Sequence, residues 1–267
     1  MKNCIVFGNC HVWLIRKYLS SSKTFNKRYR IIEIPPVHEL NMEKGINEDL
    51  LKNCDLFIYQ RVKESFGNLL TTNYILSRLP EDCIRISIAN PYFIPYFPQF
   101  TKSSDQFPYS DKNVISLIEQ GFSKEKIISE LSDENFYSSN EITKILNDSM
   151  TDLRKRESDL DIRMVDFLQQ HFRNTHLFCT INHPKHPIIR YMTMNILDKL
   201  GIPRTEISSI VHERFTDHIH PIYPSVIKHL NLRFTHGRER CYTLGKKPLT
   251  FSEYLDRYIV HLLTQKR

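Results

Sequence analysis

The sequence predicts an α/β fold, a mostly parallel sheet flanked by helices, with a helix-rich middle and C-terminal part. Short apolar runs of strand-forming residues recur between residues 5 and 88, and stretches with helical spacing of apolar residues lie between them. Strands that alternate with helices pair in parallel, and both faces of such a sheet are buried. We expect a single domain over residues 1–267, in which the segment near residues 101–172 is the place for a helical subdomain.

Each of the first elements has its own local signal. The predicted strands are Ile5–Phe7, Arg30–Ile34, Leu56–Tyr59 and Ile84–Ile88, and the predicted helices are His11–Ser20 and Asn73–Leu79. Prolines mark several of the ends, because proline has no N–H to donate and restricts the residue before it. Pro35 follows the second strand, Pro80 the second helix and Pro91 the fourth strand.

The rest of the chain has mainly helical spacing. Helices are predicted from near Glu141 to near Glu157, over Ile162–Phe172, between Pro184 and Gly201, and from Thr250 onward. Thr250 and Glu253 form a capping box, which is typical of a helix start. One further strand is predicted, Leu177–Ile181, and it leads into Asn182-His183-Pro184.

Charge and composition exclude several classes of protein. The net charge is +7, which favours an anionic partner. No dense basic run indicates nucleic acid, because Arg154-Lys155-Arg156 is followed at once by Glu157. No window approaches the roughly 20 apolar residues that a membrane span needs. We therefore expect no nucleic-acid partner and no membrane span.

The cysteines and the N-terminus indicate a cytoplasmic protein. The six cysteines are scattered and include no CxxC pair, so we expect free thiols in a reducing compartment. The first apolar run is broken at Gly8-Asn9, too early for a signal peptide.

The stretch Gly8-Asn9-Cys10 stands between the first predicted strand and the first predicted helix. Glycine permits a sharp turn or a close approach, and Cys10 then lies near a helix N-terminus. The N–H groups and the positive dipole end there favour a thiolate, and they can also hold an oxyanion or a phosphate. Cys10 is therefore a candidate nucleophile. The alternative is a small residue packed in a tight turn.

A thiol nucleophile needs a base, and His183 is the candidate. It follows a predicted strand, as Cys10 does. The carboxyl ends of parallel strands share one edge of a sheet, where open α/β sheets bind ligands. Asn182 is placed to orient a carbonyl group. The alternative role of His183 is to cap the next helix, and His11 and His186 are competing bases.

The sequence favours neither a metal site nor a nucleotide site. His183 and His186 are close in sequence, as are His218 and His220, but prolines follow three of these four. Zinc sites favour an i,i+4 pair with a matched acid or a pair of cysteines, and the sequence has neither. It also has no GxGxxG and no GxxxxGK[ST]. We predict no metal site.

The proline-aromatic segment Asn90–Phe100 has two interpretations. It is either a hydrophobic cover over the core, or a set of rings that stack on a sugar or an adenine. Gln60, just past the third strand, is a candidate polar contact in the second case.

Taken together, these stretches resemble the WcbI-like acetyltransferases of bacterial polysaccharide biosynthesis. The matching stretches are Gly8-Asn9-Cys10, LFIYQ ending at Gln60, NPYFIPYFPQF, Arg156-Glu157, LFCTINHP, HPIYPSVIKHLNL and GKKPLTFSEYLDRYI, in that order. The chain departs from the family pattern at His11, where Gln is frequent, and at Pro95, where Gly is usual.

The resemblance implies an enzyme that transfers an acetyl group from acetyl-CoA to a sugar hydroxyl of a capsule or lipopolysaccharide precursor. It also implies that Cys10 and His183 lie at the active site. In our interpretation Cys10 is the nucleophile or lines the acyl site, and His183 is the general base. Asn9 and the Cys10 N–H stabilise the oxyanion. Transfer through an acetyl-cysteine and direct transfer between the bound substrates both stay open. The cysteine turn also looks like the nucleophile turn of SGNH hydrolases. Those enzymes carry an acid three residues before the histidine, where this chain has Thr180. Glu157 is the candidate third catalytic residue, with a surface charge as its alternative role.

The positive net charge fits coenzyme A, whose phosphates are anionic. The candidate cofactor contacts are Gly8, His11, Arg16, Lys17, Gln60, Asn182 and Lys185. Of these, Arg16, Lys17 and Lys185 are assigned to the phosphates, with solvated side chains as the alternative. Two other functions stay open at this point: a cysteine-dependent acyl hydrolase of SGNH-like type, and a non-enzymatic module that binds an anionic glycan.

Overall fold

The computed structural model describes residues 1–102, 109–208, 216–245 and 247–265. Its strands are β1 Lys2–Phe7, β2 Tyr29–Ile32, β3 Leu56–Gln60, β4 Ile84–Ile88, β5 Phe100–Thr101, β6 Ser110–Asp111, β7 Phe178–Thr180, β8 His183–Pro184, β9 His218–Ile219, β10 Tyr242–Leu244 and β11 Pro248–Leu249. Its helices are α1 Val12–Ser21, α2 Lys23–Arg28, α3 Glu48–Lys52, α4 Thr72–Arg78, α5 Lys112–Glu119, α6 Lys124–Leu131, α7 Ser139–Glu157, α8 Val165–His171, α9 His186–Lys199, α10 Pro224–Leu230 and α11 Phe251–Gln265.

The described residues group into two compact units. The first contains Met1–Pro91, Lys155–Phe167 and the described part of His186–His212. The second contains Tyr92–Arg154, Leu168–Lys185 and the described part of Glu213–Arg267. The organisation as one domain stays a prediction. Two predicted segments lie partly outside the described residues. Residues 103–108 of the helix-rich segment near 101–172 are not described, and neither is Lys246 of the stretch GKKPLTFSEYLDRYI.

The first unit is built on a four-stranded parallel sheet in the order β2-β1-β3-β4. Side chains alternate between the two faces of a strand. Ile5 and Phe7 point to one face and join an apolar cluster with Phe57, while Cys4 and Val6 point to the other. All five are 0% exposed, so both faces are buried. This confirms the predicted α/β class with a central parallel sheet.

The helix predicted over Ile162–Phe172 begins later, at Val165. Ile162 pairs in parallel with Ile88 beside the edge of the sheet. Its N–H donates to the carbonyl of Ser87 at 3.0 Å, and its own carbonyl accepts from the N–H of Ala89 at 3.0 Å. Because Ile162 takes part in this pairing, the helix begins only after it.

Gln60 joins the carboxyl ends of three neighbouring strands. It ends β3, is 1% exposed, and accepts through Oε1 from the N–H of Asn9, which follows β1, at 3.0 Å. Its Nε2 donates to the carbonyl of Ala89, which follows β4, at 3.2 Å. A Cβ atom at Gly8 would clash with the Gln60 amide. The glycine therefore makes room for the side chain that positions the turn after β1.

The second unit contains antiparallel pairs, and one of them corrects the sequence analysis. The strand predicted as Leu177–Ile181 is β7, and it pairs antiparallel with β8. It was expected to end at the edge of the parallel sheet, and that expectation is wrong. Only Ile181 and Asn182 separate β7 from β8, a connection that suits a hairpin, whereas parallel strands need a crossover of a dozen or more residues.

The proline-aromatic segment belongs largely to the core of the second unit. Phe93, Tyr96 and Phe97 are 0% exposed. The ring of Phe93 stacks on that of Phe178 at 5.6 Å and meets that of Tyr96 edge-on at 4.8 Å. These three rings are unavailable for stacking on a ligand, which favours the interpretation as core.

The start of the last helix agrees with its sequence signal. Thr250 donates its N–H to Glu253 Oε2 at 2.9 Å, and Glu253 donates its N–H to Thr250 Oγ1 at 3.3 Å. This reciprocal pair is the predicted capping box, and α11 begins at Phe251.

We expect Gly8→Ala to destabilise the protein by about 1–3 kcal/mol, the usual range for overpacking a filled space. In a Gln60→Ala background the same substitution should cost less, because the clashing amide is gone. Urea unfolding of the four proteins in this cycle measures the coupling. Gly121→Ala is the control for backbone strain without overpacking, since its φ is +79° and a Cβ there meets nothing within 4 Å. Equal costs of Gly8→Ala in both backgrounds would contradict the proposed contact.

Candidate functional site

Cys10 lies in the turn between β1 and α1, two residues before the helix begins at Val12. The carbonyl of Asn9 accepts from the N–H of Val12 at 3.1 Å, and Asn9 Oδ1 accepts from the N–H of His11 at 3.1 Å. These bonds close the turn and place Cys10 where the sequence predicts, near the N-terminus of a helix of ten residues.

Burial separates Cys10 from most of the other thiols. All six cysteines are free, and Cys4, Cys54, Cys83 and Cys179 are buried, whereas Cys10 and Cys241 are half-buried. Burial raises the pKa of Cys4 far above its usual range, which disfavours a thiolate there. Chemistry that needs an accessible thiol is thus confined to two positions, and only Cys10 also lies at a helix start.

Asn9 keeps a capacity to donate beyond the bonds that hold it. Its side-chain Nδ2 donates to Asn90 Oδ1 at 2.8 Å, and a carboxamide NH₂ carries two protons. One proton is used by this bond, and the predicted role of Asn9 as an oxyanion donor stays a prediction. His11, by contrast, is 1% exposed, and its predicted contact with a cofactor stays a prediction.

Two of the three basic residues predicted to contact phosphates, Arg16 and Lys17, lie on α1 and differ in their contacts. Arg16 donates from its guanidinium to the carbonyl of Val6 at 2.6 Å, and burial lowers its pKa. Its first role is therefore to bind the backbone of β1. The Lys17 ammonium is exposed and lies 3.8 Å from the centroid of the Trp13 ring. Lys17 is the better placed of the two to reach an anion in solvent.

Glu157 has a structural role at the start of α8. It is 2% exposed, so it is not a surface charge. Its Oε2 accepts from the N–H of Met164 at 2.8 Å and from that of Val165 at 3.0 Å. Burial raises its pKa, although these two N–H groups act in the opposite sense. A carboxylate on the first N–H groups of a helix stabilises that end, and a catalytic role for Glu157 stays a prediction.

In the second unit His183 is held by neutral polar groups. Thr180 Oγ1 lies 2.9 Å from His183 Nδ1. The hydroxyl of Tyr109 donates to Asn182 Oδ1 at 2.8 Å. Burial, with a smaller effect of the charge of His218, lowers the pKa of His183 to about 4. The ring is therefore neutral at pH 7, the form that accepts a proton.

Sequence reasoning missed the neighbours of His183. The Tyr109 ring lies 5.5 Å from that of His183, 6.1 Å from that of His218 and 5.3 Å from that of His220. Burial lowers the pKa of both His218 and His220. The spacing of His218 and His220 was a usable signal, because residues i and i+2 of an extended segment face the same side. Within the described ranges, no cluster of histidine, cysteine, aspartate or glutamate side chains could hold a metal ion.

Lys185 continues the hairpin that carries His183. Its N–H donates to the carbonyl of Leu177 at 2.8 Å, which closes the hairpin. Its side chain is half-buried, and its predicted role as a phosphate contact stays a prediction.

The predicted site residues thus fall into two groups. The first unit holds Gly8, Asn9, Cys10, His11, Arg16, Lys17, Gln60 and Glu157, and the second holds Asn182, His183 and Lys185. Within the first, the Gln60 amide lies against Gly8 and accepts from the N–H of Asn9. Within the second, Asn182 and His183 follow each other in the chain, and both have a polar atom near the Tyr109 hydroxyl. A joint role of Cys10 and His183 stays a prediction.

None of the helices in the described parts of the chain is long and apolar enough to cross a membrane. No curated protein matches this chain. A solved structure matches it with a TM-score of 0.81 and 20% identity, covering 98% of this chain and 90% of that one. It is described as structural insights into WcbI, a novel polysaccharide biosynthesis enzyme, in a native form without a disulfide bond between coenzyme A and one of its cysteines. At this identity the likeness shows the fold.

Membership of a family follows from the sequence itself. The family model for the polysaccharide biosynthesis enzyme WcbI matches residues 3–205. That range is well over half of the chain, and it includes both Cys10 and His183. This chain therefore belongs to the WcbI family of polysaccharide biosynthesis enzymes.

Proposed function

We propose that this chain is an O-acetyltransferase that moves an acetyl group from acetyl-CoA to a sugar hydroxyl of a capsule or lipopolysaccharide precursor. The observation that carries the proposal is the half-buried Cys10 thiol at the start of α1. Membership of the WcbI family supports an enzyme of polysaccharide biosynthesis. The solved WcbI structure, described with reference to a disulfide between coenzyme A and a cysteine, supports coenzyme A as the carrier.

In the first proposed step, the Cys10 sulfur attacks the carbonyl carbon of the acetyl thioester. The bond between that carbon and the sulfur of coenzyme A breaks, and coenzyme A leaves as a thiolate that takes up a proton from solvent. The N-terminus of α1 favours the Cys10 thiolate. The second amide proton of Asn9 and the N–H of Cys10 stabilise the oxyanion that forms on the carbonyl oxygen.

In the second proposed step, the sugar hydroxyl attacks the acetyl group on Cys10. A carbon–oxygen bond forms, the carbon–sulfur bond to Cys10 breaks, and the sulfur leaves as a thiolate. We assign the proton of the hydroxyl to His183, because its ring is neutral and has a nitrogen lone pair to receive it. The free thiolate then starts the next cycle.

The phosphates of coenzyme A require cations. The net charge of +7 supports an anionic ligand. Lys17 and Lys185 are the proposed phosphate contacts, since Arg16 already donates to the backbone of Val6.

We expect coenzyme A and acetyl-CoA to bind saturably with micromolar Kd in calorimetry, and to raise the melting temperature. A ligand at 100 times its Kd stabilises the folded state by about 2.7 kcal/mol. With the disulfide of coenzyme A as reagent, mass spectrometry should find one coenzyme A on the wild type and none on Cys10→Ala.

Cys241→Ala is the matched control, because Cys241 is the other half-buried thiol. This variant should still take up one coenzyme A. No binding at millimolar ligand would contradict the acetyltransferase, and the Cys10 site should then be tested as an acyl hydrolase. Modification at Cys241 in place of Cys10 would contradict the assignment of the nucleophile.

The low pKa of His183 is itself testable. At pH 5.5 an ordinary histidine, with a pKa of about 6.5, is about nine-tenths protonated, whereas His183 with a pKa of about 4 should remain neutral. An NMR titration of the ring, assigned by its loss in His183→Gln, measures this. As the pH falls, the unfolded chain takes up this proton first, so the contribution of His183 to stability declines between about pH 6.5 and pH 4. A midpoint near 6.5 would contradict the neutral base.

A further inference from the structure

Two hydroxyl groups beside His183 send their protons to the same acceptor. The Tyr109 hydroxyl donates to Asn182 Oδ1 at 2.8 Å, and the Thr180 hydroxyl donates to the same oxygen at 3.2 Å. A carboxamide oxygen only accepts, so both protons must come from the hydroxyls. The fully buried position of Thr180, at 0% exposure, keeps water from competing for this arrangement.

The positions of these protons decide the state of the histidine. A hydroxyl has one proton, and Thr180 donates its proton to Asn182 Oδ1. Toward His183 Nδ1, at 2.9 Å, Thr180 Oγ1 therefore offers only lone pairs. The Tyr109 oxygen, whose own proton goes to Asn182, lies 3.4 Å from Nδ1 and 3.5 Å from Nε2, so it does not distinguish the two nitrogens. The hydrogen bond between Thr180 and the ring forms only if Nδ1 is the nitrogen that carries hydrogen.

We propose that Thr180, Asn182 and Tyr109 are positioning residues that hold His183 as the Nδ1–H tautomer, so that Nε2 is the nitrogen that receives the proton in the reaction. The tautomer stands on the hydrogen bonds alone, and its use in catalysis rests on the proposed function. None of the three positioning residues is required to touch the substrate.

This arrangement orients the base without giving it a negative partner. Where a carboxylate accepts from Nδ1–H, it both fixes the tautomer and stabilises the imidazolium that forms. Thr180 stands three residues before His183 and accepts from the same nitrogen, but it has no charge. The low pKa of His183 agrees with this difference. Such a base binds its proton weakly, and it releases the proton of the sugar hydroxyl readily to solvent.

The tautomer is measured directly by two-bond ¹⁵N–¹H correlation on uniformly labelled protein at pH 7, without ligand. Protonated and unprotonated ring nitrogens have well-separated ¹⁵N shifts, and His183→Gln assigns the signals. We expect hydrogen on Nδ1 in the wild type and in Thr180→Ser, which keeps the hydroxyl. Thr180→Val should lose this preference, with a mixed or Nε2–H ring. A wild-type ring with hydrogen on Nε2 would overturn the proposal.

Two further variants provide a matched control and a second test of the proposal. Thr193→Val is the matched control, because Thr193 is also 0% exposed and its hydroxyl donates elsewhere, to the carbonyl of Ile189 at 2.8 Å; it should leave the His183 signals unchanged. Asn182→Ala removes the shared acceptor and frees both hydroxyl protons, so Nε2–H should gain population. It also serves if Thr180→Val does not fold. Unchanged signals in a folded Asn182→Ala would overturn the proposed role of Asn182 in fixing the tautomer.

The proposed function and this inference fail separately. If the tautomer is as proposed but coenzyme A does not bind, the acetyltransferase is wrong and the positioning geometry stands. If coenzyme A binds and the wild-type ring is Nε2–H, the positioning proposal alone is wrong. In a transfer assay, Thr180→Val should lower kcat about 10- to 100-fold, the range for disturbing such outer contacts, with little change in the Kd for coenzyme A. Thr180→Ser should restore most of kcat.

Discussion

The Gln60 side chain is the constraint on which the cysteine turn depends. One carboxamide bonds the chain after β1 and the chain after β4, from its own place at the end of β3. Three parallel strands are thereby held at one edge, and the backbone at Gly8 can approach only because no Cβ is there. This arrangement places Cys10 just before the start of α1.

In the second unit, His183 is oriented by neutral polar groups and not by a charged partner. A hairpin with two residues between its strands places Thr180 and His183 opposite each other. The side-chain oxygen of the intervening Asn182 accepts hydrogen bonds from the hydroxyls of Tyr109 and Thr180. Burial then keeps the ring neutral. A carboxylate in place of the Thr180 hydroxyl would raise the pKa of the His183 ring. His183 would then hold the proton that it receives more strongly.

The sequence predicted well those elements whose signals are local. Ile84–Ile88 was predicted with the bounds that the structure has, and the capping box at Thr250 was read from four residues. The partners of β7 were not predictable in this way, because a short apolar run has the same appearance in a parallel sheet and in a hairpin. The neighbours of His183 were missed for a related reason. Tyr109 is 74 positions away from His183 in the chain, and no periodicity links residues that meet only through tertiary packing.

The central claim is that Cys10 carries the acetyl group between coenzyme A and the sugar. The most direct measurement is the intact mass of the protein after rapid mixing with acetyl-CoA and acid quenching, followed by peptide mapping. The account predicts a transient gain of one acetyl group on the peptide that contains Cys10, lost on addition of a competent sugar acceptor and absent in Cys10→Ala. Binding of acetyl-CoA without any acetylated Cys10, together with substantial transferase activity in Cys10→Ser, would contradict it and indicate direct transfer between the two bound substrates.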